Sequence, residues 1–229
     1  MLETEDRRGQ ITVLTARAGE FEDVLDEFSF EQKLVQNHAY YYLKQPQYEI
    51  RLSHVGVGPD QTRKSFEKLQ KPLEADLLLV IGTAGALHSD LQQGGFFIPT
   101  AVTEPRSDDW LYPEPEIMEW IAGTVRHELE NRENPIPARA GPLLSSSDEV
   151  INSKNRKQLF ESNRALAVDM ETSTIVQQFL NSNDTGIWAG LRIISDSVKD
   201  SDKQQIIDQQ QQVTREIGLA INRLIDGLE

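Results

Sequence analysis

The chain has 229 residues, of which 38% are hydrophobic. That is enough to bury the core of one sizeable α/β domain and too much for a disordered chain. Its formal net charge of −14 opposes contact with phosphate backbones, so nucleic-acid polymers are not expected partners.

The absence of cysteine excludes disulfides, thiolate zinc sites and cysteine nucleophiles. The charged start, residues 1–10, carries no apolar signal segment, and no apolar run approaches the length of a membrane span. A cytoplasmic protein with no membrane partner is the expectation, in keeping with a cysteine-free composition.

Residues 1–9 read as a flexible leader and 10–229 as a single domain. Gln10–Ala16 has the character of a first strand. Phe21, Val24, Leu25 and Phe28 follow at i, i+3, i+4, i+7, the spacing of a short amphipathic helix. Tyr40–Leu43 and Tyr48–Val55 read as strands of a hairpin around Gln45-Pro46-Gln47. Gly56-Val57-Gly58 then turns the chain into a helix opened by Pro59 and extending over 60–71.

The dense apolar run Asp76–Ile81 predicts a strand covered on both faces, with Gly82-Thr83-Ala84-Gly85 as the loop after it. Phe96–Val102 is a further strand, 103–115 a long loop, Ile117–Leu129 a helix and Ala138–Leu144 a strand. Ser145–Asp148 reads as a turn or a helix cap and Arg156–Phe160 as weakly helical. A strand at Ala165–Asp169, a helix at Thr172–Leu180 and a strand at Ile187–Ile194 lead to a long final helix. Ile206, Val213, Ile217, Ala220, Ile221, Leu224 and Leu228 mark its apolar face, with glutamines 209–212 on a solvated one. This alternation favours one α/β domain around a largely parallel sheet, whose ligands gather at the carboxyl ends of strands.

The chemistry-bearing residues at those ends are acids. Glu171 in Val168-Asp169-Met170-Glu171 and Asp196 in Ile194-Ser195-Asp196 both follow apolar runs, where a carboxylate is costly unless something pairs with it. Glu20 lies just past the first strand. Taken singly, Glu171 and Glu20 read more readily as a helix-start and a surface acid, and Asp196 as readily as a turn acid; together, at strand ends, they suggest one pocket. The four histidines form neither His-x-His nor His-Glu-x-x-His, so no metal site is expected. No P-loop or Gly-x-Ser-x-Gly elbow occurs, and Gln61 stands where a dinucleotide fingerprint needs glycine, so no cofactor is expected.

In order and spacing, Gly56-Val57-Gly58, Ile81-Gly82-Thr83-Ala84-Gly85-Ala86-Leu87, Val168-Asp169-Met170-Glu171 and Ile194-Ser195-Asp196 resemble the nucleoside phosphorylase/nucleosidase superfamily. The likeness is greatest to its 5′-methylthioadenosine/S-adenosylhomocysteine nucleosidases. The resemblance implies a three-layer α/β/α fold with a central twisted mixed sheet. It also implies hydrolysis of the N-glycosidic bond of a purine nucleoside or thionucleoside, in a homodimer without a cofactor.

By the same resemblance Asp196 protonates or hydrogen-bonds the purine N7 and Glu20 activates water. Glu171 binds the ribose hydroxyls and Met170 packs on the ribose. Thr83 helps hold the water, and the Val150 backbone contacts the purine. Ala84, Gly85 and Ser195 complete the substrate contacts. Related phosphorylases carry arginine where this chain has Val80, which favours water over phosphate as the nucleophile; Arg17, after the first strand, points the other way. Gly94-Gly95 replaces a usual Gly-Asp pair. Ser147-Asp148-Glu149 stands where an aromatic that stacks on the purine is expected; Trp110 or Tyr112 either replaces it or covers core.

Overall fold

The computed structural model describes residues 9–69, 74–133, 135–198 and 203–228, with the backbone alone for 203–213. The leader expected at 1–9 lies outside the described residues except for Gly9, which already belongs to the first strand. In chain order the elements are β1 (Gly9–Thr15), a 3-10 turn (Ala18–Glu20), α1 (Glu22–Glu27), β2 (Glu31–Val35), β3 (His38–Lys44), β4 (Tyr48–His54), α2 (Pro59–Leu69), β5 (Leu77–Ala86) and β6 (Phe96–Thr103). They continue with α3 (Pro115–Glu130), β7 (Arg139–Ser145), α4 (Ser153–Asn163), β8 (Ala167–Asp169), α5 (Thr172–Ser182), β9 (Ile187–Asp196) and α6 (Lys203–Asp226).

One nine-stranded sheet runs in the order β2-β3-β4-β1-β5-β8-β7-β6-β9, and β9 also pairs with β5. The strands β5, β8, β7, β6 and β9 therefore close on themselves, while β1 to β4 extend from β5 as an open wing. The sheet is mixed, as the family resemblance implies, rather than largely parallel. β1–β4, β1–β5, β5–β9, β6–β7 and β7–β8 are parallel; β2–β3, β3–β4, β5–β8 and β6–β9 are antiparallel.

β5 organises the layers. Its alternating side chains enter two cores: Leu77, Leu79 and Ile81 pack with Ile121, Val125, Ile217, Ile221 and Leu224 of α3 and α6. Leu78 and Val80 pack with Phe66, Ile175, Val176 and Phe179 of α2 and α5. A strand buried on both sides reads as an unbroken apolar run for this reason. Each fully buried leucine in it contributes roughly 1.5–3 kcal/mol by area. The outcome is α/β/α layering. The α6 face expected from Ile217, Ala220, Ile221 and Leu224 is buried, whereas the side chains of Ile206, Val213 and glutamines 209–212 lie outside the described residues.

Gly82–Gly85 is not a loop. These residues continue β5, paired with β9 and, at Gly85, with Val168 of β8. Likewise Ser195 and Asp196 are the last residues of β9 rather than a loop after it. An unanticipated β2 pairs with β3 across a turn in which Gln36 and Asn37 both have positive φ, 49° and 61°. Among the described residues no helix is long and apolar enough to cross a membrane.

Candidate functional site

The carboxyl ends of β1, β4, β5, β8 and β9 converge on a cavity of about 300 Å³. Glu20, Thr83, Ala84, Gly85, Val150, Met170, Glu171, Ser195 and Asp196, all singled out from the sequence, line it. Glu20, Glu171 and Asp196 each come from a different element and are at most 8% exposed, so the fold does bring the acids together. Thr214 of α6 closes one side.

Each acid has its own environment. Glu20 ends the 3-10 turn, where its Oε2 accepts a hydrogen bond from the Arg17 backbone N–H at 2.8 Å. Burial raises its pKa above the ordinary glutamate value, against the opposing pull of that hydrogen bond and of Arg192 and Arg17. Glu171 sits at the start of α5, and its Oε1 accepts from the Gly58 backbone N–H at 2.7 Å. Gly58 adopts φ +83°, a left-handed conformation that turns this N–H into the cavity. The turn around Gly56–Gly58 thus both reverses the chain and supplies a donor. Burial first, then the negative charge of Asp169, lift Glu171 to about 7.

Asp196 is paired instead. Its Oδ1 accepts from Ser195 Oγ, and its Oδ2 forms a buried ion pair with Arg156 Nη2. Arg156 Nη1 donates to the carbonyls of Ala86 at 3.0 Å and Ser197 at 2.8 Å, which fixes the guanidinium between the ends of β5 and β9. Sequence reasoning missed Arg156, reading its segment as a weak helix among lysines and asparagines. A signal was present: Leu159 and Phe160, at i+3 and i+4, are the apolar residues of α4, so Arg156 shares the inward face. Asn152 caps this helix by accepting from the Asn155 N–H at 2.8 Å, and the cap sets where Arg156 enters.

Asp169, also on the lining, answers the same need for a partner. Its Oδ2 accepts from Arg192 Nε at 3.1 Å and Nη2 at 3.0 Å, and its Oδ1 accepts from Ser145 Oγ. Arg192 Nη1 donates to the Val80 carbonyl at 2.7 Å. Gly85 of β5 makes room for the Asp196–Arg156 pair, while at Gly82 a side chain would meet only ordinary contact. A Cβ on Gly85 would meet Asp196 Oδ1 at 3.2 Å and Arg156 Nη1 at 3.3 Å; one on Gly82 would meet Arg192 Nη1 at 3.6 Å.

Met170 reaches across toward Gly58, its Cε lying 3.7 Å from where a Cβ there would stand. Val150 lies against the small apolar group of Leu87, Leu144, Ala165 and Val168. Among the described residues no aromatic side chain lines the cavity; its larger apolar lining residues are Val57, Val150, Ile151, Val168 and Met170. Neither Trp110 nor Tyr112 reaches it, and Tyr112 is 70% exposed. Arg17 does line it. At Gly95 a Cβ would lie 2.9 Å from the Gln92 carbonyl and from Ile136 Cγ2, so the aspartate usual there has no room.

A model of the phosphorylase superfamily matches residues 10–228. The fold is shared with solved structures at low identity. S-adenosylhomocysteine nucleosidase from Streptococcus pyogenes is 16% identical, with a TM-score of 0.83 over 97% of this chain and 98% of that one. A 5′-methylthioadenosine-bound nucleosidase mutant from Helicobacter pylori is 15% identical, with a TM-score of 0.82 over 96% and 99%. A futalosine hydrolase mutant from Helicobacter pylori is also 15% identical, with a TM-score of 0.81 over 95% and 99%. No curated protein sequence matches the chain.

Proposed function

Because the chain belongs to the phosphorylase superfamily, we propose that it hydrolyses the N-glycosidic bond of a purine nucleoside or 5′-thionucleoside, releasing free base and sugar. The observation that carries this reading is the convergence of Glu20, Glu171 and Asp196 on one cavity, in different electrostatic settings. Carboxyl groups whose environments differ can divide the work of acid, base and ligand holder.

As the base departs, positive charge develops at the anomeric carbon and negative charge on the purine. Glu171, in its carboxylate form, accepts both ribose hydroxyls through charge-assisted hydrogen bonds and faces the cationic sugar. Glu20, whose raised pKa brings it nearer to neutrality, takes the proton from the attacking water, with Thr83 beside it on the lining. Asp196 meets the purine at N7. With Arg156 and Ser195 already on its oxygens, it acts as the carboxylate that accepts an N7–H, the proton being drawn from solvent. Arg156 and Ser195 hold this carboxylate in place. Met170, Val150 and Ile151 supply apolar contact for sugar and base in place of an aromatic ring.

Phosphorolysis is the second reading, favoured by Arg17 on the lining. A phosphate beside the anomeric carbon would share the cavity with Glu20 and Glu171, and their negative charge opposes it; water carries no such cost. Val80, at the position where phosphorylase relatives carry arginine, is buried in β5. The test is incubation with a panel of purine nucleosides, with and without orthophosphate, and identification of the sugar product. Free sugar formed without phosphate supports hydrolysis. Phosphate-dependent ribose 1-phosphate supports the second reading, and no base release under either condition refutes both.

A further inference from the structure

Arg17 is the cation of the cavity that the chemistry above leaves unused. Arg156 is committed to Asp196 and two carbonyls, and Arg192 to Asp169 and the Val80 carbonyl. Among the described residues no hydrogen bond or ion pair engages the Arg17 guanidinium; its backbone N–H donates to Glu20 Oε2, and its carbonyl accepts from Thr15 Oγ1 and the Glu20 N–H. It is exposed, yet it lines a cavity otherwise rich in carboxylates. The carboxylates repel an anion deep in the cavity, so the exposed guanidinium at its mouth is the one place on the lining where an anionic group of a ligand can be held.

The sheet order says which part of the ligand reaches it. Asp196, Arg156 and Val150 belong to β9, α4 and the segment after β7, on one side of β5. Arg17 and Val57 follow β1 and β4, on the other side. Glu171 spans toward that second side through Gly58. A nucleoside with its base at Asp196 and its hydroxyls on Glu171 directs its remaining sugar substituent, the 5′ arm, toward Val57 and Arg17. Glu20 is buried and Arg17 exposed, so the guanidinium lies at the mouth, outward of the reacting carbon.

We propose that Arg17 determines specificity by binding a carboxylate carried on the 5′ substituent, with the exposed Val57 covering the apolar spacer. This rests on the nucleosidase reading. The substrate class is then a purine riboside with an anionic 5′ arm rather than a small neutral one.

The test compares 5′-(carboxypropylthio)adenosine with its uncharged methyl ester, in wild type and in Arg17→Met and Arg17→Lys. Both kcat/KM for base release and the dissociation constant by calorimetry are measured. Wild type should prefer the carboxylate by at least about tenfold, the size of one charge-assisted hydrogen bond. Arg17→Met should bring the ratio near one, and Arg17→Lys should restore part of it. A wild-type ratio near one, or an unchanged ratio in Arg17→Met, overturns the proposal. So does a phosphate-dependent activity that Arg17→Met abolishes for both compounds alike. If neither compound is cleaved, the nucleosidase reading fails, and the binding constants still decide whether Arg17 selects the anion.

Discussion

Replacing Glu171 with glutamine should make the ligand-free protein more stable at alkaline pH while weakening its hold on ribose. In the folded state Glu171 sits at about 7 against an ordinary value of 4.5, lifted by burial and by Asp169. The folded chain therefore binds a proton that the unfolded chain has released between those values, and stability falls as pH rises from 4.5 to 7. The loss is absent below the lower value and complete above the upper one.

At about 1.4 kcal/mol per pH unit, the difference amounts to about 3 kcal/mol. Glutamine carries no charge and keeps an oxygen for the Gly58 N–H, so it removes most of this cost. For a chain of this size, Tm should rise by roughly 5–10 °C at pH 8, with little change near pH 4.5. Thermal and urea denaturation of both proteins at the two pH values measure this. Glu171→Gln should also lose much of the preference for ribosides over 2′-deoxyribosides. A stability difference that is the same at both pH values, or a variant less stable at pH 8, refutes the reasoning.

Arg156→Met should destabilise the protein by about 2–4 kcal/mol, toward the low end expected for a broken buried pair because Asp196 faces an open cavity. Asp196→Asn should abolish turnover and also lower stability, since Arg156 loses its anion. The double variant should recover part of the sum, read from a urea-denaturation cycle. Glu20→Gln should lower kcat by about 10²–10⁴-fold. In wild type the acid limb of kcat/KM should lie above the ordinary glutamate range, because the base must be deprotonated and burial raises its pKa. Gly58→Ala should cost about 1 kcal/mol through its positive φ and raise KM by displacing the donor to Glu171, checked by denaturation and steady-state kinetics.

Glu171 and Asp196 were legible because each breaks a hydrophobic pattern at a strand end, where burial demands an explanation, whereas Glu20 was singled out through the family resemblance. What supports them was not. Arg192 interrupts an apolar run and Arg156 hides in a polar helix, and only folding reveals which carboxylate each one meets. Gly82–Gly85 reads as a turn because glycine is locally a breaker. The strand continues through it because β9 supplies the pairing, and glycine stands at 85 because a Cβ there would crowd Asp196 and Arg156. β2 escaped notice because Glu31–Val35 is solvent-facing and mostly polar, and because its turn takes Gln36-Asn37 where Asn-Gly is the strong signal.

The self-closing of β5 through β9 has a further consequence. β9 would otherwise be a terminal strand, but its backbone is engaged by β6 on one flank and β5 on the other. Among the described residues β2 is left as the sheet's open border, with the charges of Glu31 and Lys33 on it and Leu34 68% exposed. Any extension of the sheet by another chain's backbone has this short margin to use, at the far end of the wing from the cavity. The border open to a neighbouring strand and the candidate cavity are therefore spatially separate in this molecule.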